Sequence, residues 1–126
     1  GYINLADIYR VKQQPLNVEK TLVKGMKNIP NSGALNYVYG LYLVRQKNLT
    51  KAVSFFGKAM RLSPNNSQYA YTLVLAMDGT GQSEQAITKL KGLIENYPDK
   101  GQLRELGLYL SQKLSNKEYY DYFIKL

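Results

Sequence analysis

Residues 33–66 read GALNYVYGLYLVRQKNLTKAVSFFGKAMRLSPNN, and this stretch decides the fold. Asn36, Tyr39, Gly40 and Leu43 stand at i, i+3, i+4 and i+7, the spacing of one helical face, and predict a helix over about 32–46. Lys47-Asn48-Leu49 forms a turn. Ala52, Val53, Phe56, Ala59 and Met60 then resume the helical spacing, until Ser63-Pro64-Asn65-Asn66 stops it with turn residues. The unit is therefore two helices joined by a tight turn, 34 residues in all.

The unit recurs. Pro30, Pro64 and Pro98 stand 34 residues apart, and the same step carries Val18 to Ala52 to Ala86, Leu22 to Phe56 to Leu90, and Leu5 to Tyr39 to Leu73. Registration at a period of this length is the mark of stacked helix pairs, which bury a continuous core and usually present a surface to another macromolecule. The first copy predicts helices over 4–11 and 18–27, and the third over 69–79 and 83–96. After Pro98 the columns continue with a step of 33, placing Leu106-Gly107, Leu110 and Phe123 where Tyr39-Gly40, Leu43 and Phe56 stood. A fourth pair with a short last helix follows. The expected repeats are 1–32, 33–66, 67–99 and 100–126, in a single domain that is a fragment of a longer protein.

Close packing explains the columns. A small residue in the first helix of a pair (Ala6, Gly40, Gly107) admits the partner helix, a small residue in the second (Ala52, Ala86) does the same, and Leu22, Phe56 and Leu90 fill the space between. Val74 and Tyr119 occupy positions where a small residue is expected, so their pairs should sit wider apart.

Composition narrows the chemistry. The 126 residues include no cysteine and no histidine, which removes thiol nucleophiles, imidazole bases, disulfides and Cys-x-x-Cys-His haem attachment and leaves carboxylates alone for metal binding. No cofactor and no metal site are expected. No apolar run reaches the roughly 18 residues that span a bilayer, so the chain reads as soluble, with periplasm and cytoplasm both open. The net charge of +8 is unevenly spread. Residues 33–66 carry Arg45, Lys47, Lys51, Lys58 and Arg61 without an acid, whereas 67–99 set Lys89 and Lys91 against Asp78, Glu84, Glu95 and Asp99.

The columns Tyr39-Gly40, Leu43, Ala52, Phe56, Ala59 and Pro64 resemble the tetratricopeptide repeat, and the likeness covers nearly the whole chain. It implies an all-α, right-handed superhelical solenoid of three to four repeats, whose first helices line a concave groove holding an extended peptide or a partner's helix. The positions matching that groove are Ile3, Tyr37, Tyr71 and Arg104, then Asp7, Leu41, Leu75 and Leu108. In the chaperone-binding subclass they carry a carboxylate clamp of lysines and asparagines, which is missing here, so a chaperone-tail adaptor is disfavoured. A narrower likeness, through Asn4-Leu5-Ala6-Asp7-Ile8-Tyr9-Arg10 and Gly40-Leu41-Tyr42-Leu43-Val44-Arg45-Gln46, is to the repeat regions that follow multihaem cytochrome domains in bacterial exported proteins.

The residues support a groove independently of the likeness. Tyr37, Leu41 and Val44, and likewise Tyr71 and Leu75, lie one step around the helix from the core face. They predict an aromatic and aliphatic floor, with Arg45 and Arg104 placed to grip a carboxylate or backbone carbonyls. The bland alternative is that these tyrosines pack between neighbouring helices. Lys51 and Lys58, seven apart and away from Ala52 and Phe56, read as a solvated face. Asp78-Gly79-Thr80-Gly81 lacks the lysine of a phosphate loop, and Glu118 with Asp121 reads as surface acid. The expected function is a protein-interaction scaffold without catalysis. The alternatives are an RNA-binding solenoid through the second-repeat lysines, with nucleic acid disfavoured, or an oligomerisation domain through Tyr119-Tyr120-Asp121-Tyr122-Phe123-Ile124.

Overall fold

The computed structural model describes residues 1–126 and contains eight α-helices and no strand. The chain falls into two compact units, Gly1–Ser63 and Pro64–Leu126. In the first, α1 (Tyr2–Val11) pairs with α2 (Pro15–Asn28) and α3 (Gly33–Arg45) with α4 (Leu49–Leu62). In the second, α5 (Ser67–Gly79) pairs with α6 (Ser83–Leu93), and α7 (Gly101–Lys113) with α8 (Lys117–Ile124).

The turn inside every pair is built the same way. Gln13, Lys47, Gly81 and Ser115 adopt φ of 58°, 61°, 84° and 51°, and they stand 34 residues apart. Each is the left-handed residue of a Schellman closure. In the second pair the Lys47 N–H donates to the Val44 carbonyl and the Asn48 N–H to the Leu43 carbonyl, and the other three pairs repeat this pattern. Only one of the four is glycine, so the closure holds three side chains where an L-residue costs about 1–2 kcal/mol.

In the second and fourth pairs the residue that ends the closure also caps the next helix, whereas Gln14 and Gln82 make no such side-chain bond. The Asn48 side chain accepts from the Lys51 N–H and that of Asn116 from the Tyr119 N–H, while Ser32 and Asn66 start α3 and α5 likewise. Each such cap stabilises its helix by about 1 kcal/mol. α2 starts three residues before the expected Val18, because Pro15 at its first position has its φ preset and needs no hydrogen-bond acceptor. Where a single helix was expected to run to residue 96, α6 ends at Leu93 and a 3₁₀ turn covers Ile94–Asn96.

The small-to-large contact inside each pair is where the columns place it. A Cβ added at Gly40 would fall 2.4 Å from the Phe56 ring, and one at Gly107 equally close to the Phe123 ring. Glycine faces phenylalanine in those pairs. Ala6 and Val74 occupy the matching positions in the other two pairs, with Leu22 and Leu90 opposite, and all four are buried. A smaller partner therefore offsets Val74.

In the fourth pair the contact column has slipped. Helix starts keep the step of 34 while Gly107 and Phe123 keep the step of 33, so the contact lies one residue nearer the start of each helix. Tyr119 does not wedge α7 from α8. Its hydroxyl reaches Thr88 of α6 at 3.2 Å, and Lys91 of α6 lies 5.6 Å from the Tyr119 ring and 4.9 Å from that of Tyr122. The C-terminal aromatics thus tie α8 to α6.

Candidate functional site

Four of the expected groove residues meet in the first unit. Ile3 and Asp7 from α1 and Leu41 and Arg45 from α3 line one cleft of about 390 Å³, closed by Ala6, Arg10, Val18 and Val38. The helical spacing explains it: Ile3 and Asp7 lie one turn apart, as do Leu41 and Arg45, so α1 and α3 present one such face each. A second hollow of about 360 Å³, lined by Arg10, Val18, Tyr42 and Arg45, adjoins it and shares both arginines.

The charges in this cleft are unequal. The Arg10 guanidinium donates to Asp7 Oδ1 through Nε at 2.9 Å and through one terminal nitrogen at 2.8 Å, so these two largely cancel. Arg45 takes part in none of the ion pairs. Burial pushes its pKa down and the Arg10 charge adds to that, with only Asp7 opposing. A second carboxylate entering the cleft would relieve that penalty and find an unused guanidinium.

Tyr37 is not in the cleft. Its half-buried ring packs on Phe56 at 5.6 Å. In the second unit Tyr71 and Leu108 are half-buried and Leu75 is exposed. Arg104 is occupied: its Nε donates to the Phe123 carbonyl at 3.0 Å and a terminal nitrogen to the Ile124 carbonyl at 3.2 Å. It grips backbone carbonyls, as the sequence suggests, but those of its own chain, closing the last turn of α8.

Two polar clusters went unread in the sequence. Glu19 of α2 accepts from the Tyr39 hydroxyl at 3.0 Å and from the Tyr42 hydroxyl at 3.2 Å, one on each oxygen. Burial, with Glu19 adding to it, pushes the Tyr39 hydroxyl up to about 12 and that of Tyr42 upward. In the second unit Asp78 is buried and accepts from Ser83 Oγ and from Lys113 Nζ, the latter at 2.8 Å. This aspartate therefore belongs to the α5–α6 turn and its tie to α7. Both tie helix to helix, and Tyr42 of the first also lines the hollow of about 360 Å³. No group of three or more metal-ligating side chains occurs in the chain, and no helix is long and apolar enough to cross a membrane.

Helices paired in this way define a helical-repeat protein, and comparison identifies the repeat. A tetratricopeptide-repeat protein from Parabacteroides merdae superposes with a TM-score of 0.83 at 18% identity, over 98% of this chain and 50% of its own. The MamA RS-1 double mutant gives 0.79 at 16% identity over 98% and 70% of the two chains. The TPR2B domain of yeast Sti1, in its pHsp70 complex, gives 0.65 at 15% over 98% and 91%. The fold is thus the tetratricopeptide-repeat solenoid, and the chain spans half the length of the Parabacteroides protein. No protein-family model and no curated protein matches the sequence.

Proposed function

We propose that this chain is a protein-interaction scaffold that holds a segment of a partner against the first-helix face of Gly1–Ser63. The observation that carries the reading is the cleft between α1 and α3, where Ile3 and Leu41 offer apolar contact and Arg45 is a cation without an acid of its own. The matching ligand is an extended or helical segment with an apolar anchor beside a carboxylate. The lysine and asparagine clamp that the resemblance implies for the chaperone-binding subclass has no counterpart at Ile3, Asp7 and Leu41. In the second unit, Arg104 is committed to α8. Catalysis has no part in this reading. The likeness to a Thermobaculum terrenum O-GlcNAc transferase mutant covers only 21% of that chain.

The test is affinity capture from native lysate by the full chain and by an Arg45→Ala, Leu41→Ser variant, with folding checked by circular dichroism. The captured partner is then mapped on synthetic peptides, with and without their carboxylates. A partner segment retained by the parent, lost by the folded variant and dependent on a carboxylate supports the cleft. Equal capture by both proteins removes it.

A further inference from the structure

A further cleft of the first unit shares no lining residue with that groove. It measures about 510 Å³ and is formed by Val23, Met26 and Lys27 of α2, Pro30, Asn36 of α3, and Phe55, Lys58, Arg61 and Leu62 of α4. Its walls are apolar, with Val23 and Leu62 44% and 39% exposed. Its rim is cationic. None of the ion pairs in the chain engages Lys27, Lys58 or Arg61.

The electrostatic imbalance extends along both helices. α2 contributes Lys20, Lys24 and Lys27, and α4 contributes Lys51, Lys58 and Arg61, against a single acid, Glu19. Both Glu19 oxygens accept from Tyr39 and Tyr42, which orients this carboxylate toward α3, and no ion pair joins it to the rim cations. An apolar trough flanked by uncompensated cations is complementary to a segment with apolar anchors flanked by acids.

We infer that this cleft is a second docking surface, for an acidic amphipathic segment of a protein partner. Single-stranded nucleic acid fits it less well, because its wall carries one aromatic side chain and that one is already engaged. Phe55 forms a T-shaped contact with the Tyr39 ring at 4.7 Å, and Lys58 Nζ lies 4.6 Å from its centroid, so a run of bases finds no row of stacking platforms. An anionic bilayer would meet the lysines but could not follow the concave walls to Val23 and Phe55. A protein segment can do both.

The probe is a fluorescein-labelled helix-forming peptide with a leucine face and glutamate flanks, titrated into the full chain by fluorescence anisotropy. Its glutamine analogue, polyuridylate RNA and phosphatidylserine vesicles are run in parallel. The expected result is saturable binding of the glutamate peptide that weakens at least about tenfold in the glutamine analogue and in a Lys58→Glu, Arg61→Glu variant. Arg45→Ala should leave it unchanged, which separates this site from the groove. Should the reversal disturb folding, Lys58→Gln with Arg61→Gln gives the same comparison with a smaller loss. The inference is overturned by any of these: absence of glutamate-peptide binding, equal binding of the glutamine analogue, binding indifferent to both double variants, or RNA or vesicles engaging these residues while the peptide does not. Association of two copies through Lys58 and Arg61, seen as concentration-dependent mass without peptide, also overturns it.

Discussion

At the scale of the residue, the pairs are set by how closely two backbones approach. Gly40 shows it most sharply. A methyl group there would lie 2.4 and 2.7 Å from two carbons of the Phe56 ring, which is 1% exposed and has nowhere to retreat. Alanine is otherwise the better helix former by about 0.5–1 kcal/mol, but the overpacking it causes costs about 1–3 kcal/mol. Gly40→Ala should therefore be a net loss of about 1–2 kcal/mol in urea unfolding. Gly57 sits mid-helix in α4 with only the Arg61 side chain near, at 3.5 Å. There the same change should stabilise by about 0.5–1 kcal/mol. If Gly40→Ala unfolds no earlier than the parent, the glycine-for-phenylalanine complementarity is not what sets the α3–α4 distance. This complementarity was half legible: the small and large columns were, but that glycine meets phenylalanine while Ala6 and Val74 meet leucine needed the contacts.

At the scale of the element, period and punctuation placed every helix, and errors gathered at the ends. Pro15 opening α2, and the change to 3₁₀ at Ile94, depend on which backbone groups find acceptors, which a hydrophobic column does not report. Links between elements were least legible, because the partners of a hydrogen bond 20 or 35 residues apart obey no local period. Asp78 is the clearest case, joining the start of α6 through Ser83 and the end of α7 through Lys113. Burial alone would push its carboxyl up. The hydrogen bonds from Lys113 and Ser83, with the Lys113 charge, outweigh this and hold it below the ordinary carboxylate range. Lys113 is raised, chiefly by the hydrogen bond to Asp78. A depressed acid contributes stability that is present above its unfolded pKa, about 3.9, and is lost as pH falls through the lower folded value. A raised lysine contributes stability that is present below about 10.4 and is lost as pH rises through its higher folded value. Asp78→Asn should cost about 1–3 kcal/mol at pH 7 and flatten the fall in stability below pH ~4. An Asp78→Asn protein whose thermal midpoint tracks the parent from pH 7 into the acid range would mean that this link contributes nothing.

At the scale of the whole molecule, the repeat period was legible because it is written in every pair, whereas the surface was legible only as a sum. The net charge of +8 comes from 17 basic and 9 acidic side chains. Where those charges go is a matter of geometry: Asp78 pairs with Lys113 and Asp7 with Arg10, which leaves Glu19 as the one acid on α2 and α4 against their six cations. Those cations therefore repel one another. Salt screens exposed charges over a distance that shrinks from about 30 Å at 0.01 M to about 8 Å at 0.15 M, while a half-buried pair such as Asp78–Lys113 is screened less. Raising sodium chloride across that range at pH 7 should raise the thermal midpoint, because repulsion among the unpaired cations is removed faster than the few attractions are weakened. Charge reversal at Lys58 and Arg61 should reduce that rise, since it removes two of the repelling cations and supplies acids to their neighbours. A midpoint that falls with salt in the parent would show that the exposed pairs Arg10–Asp7 and Lys117–Asp121 outweigh the cationic face, and that the lysines of α2 and α4 are already compensated.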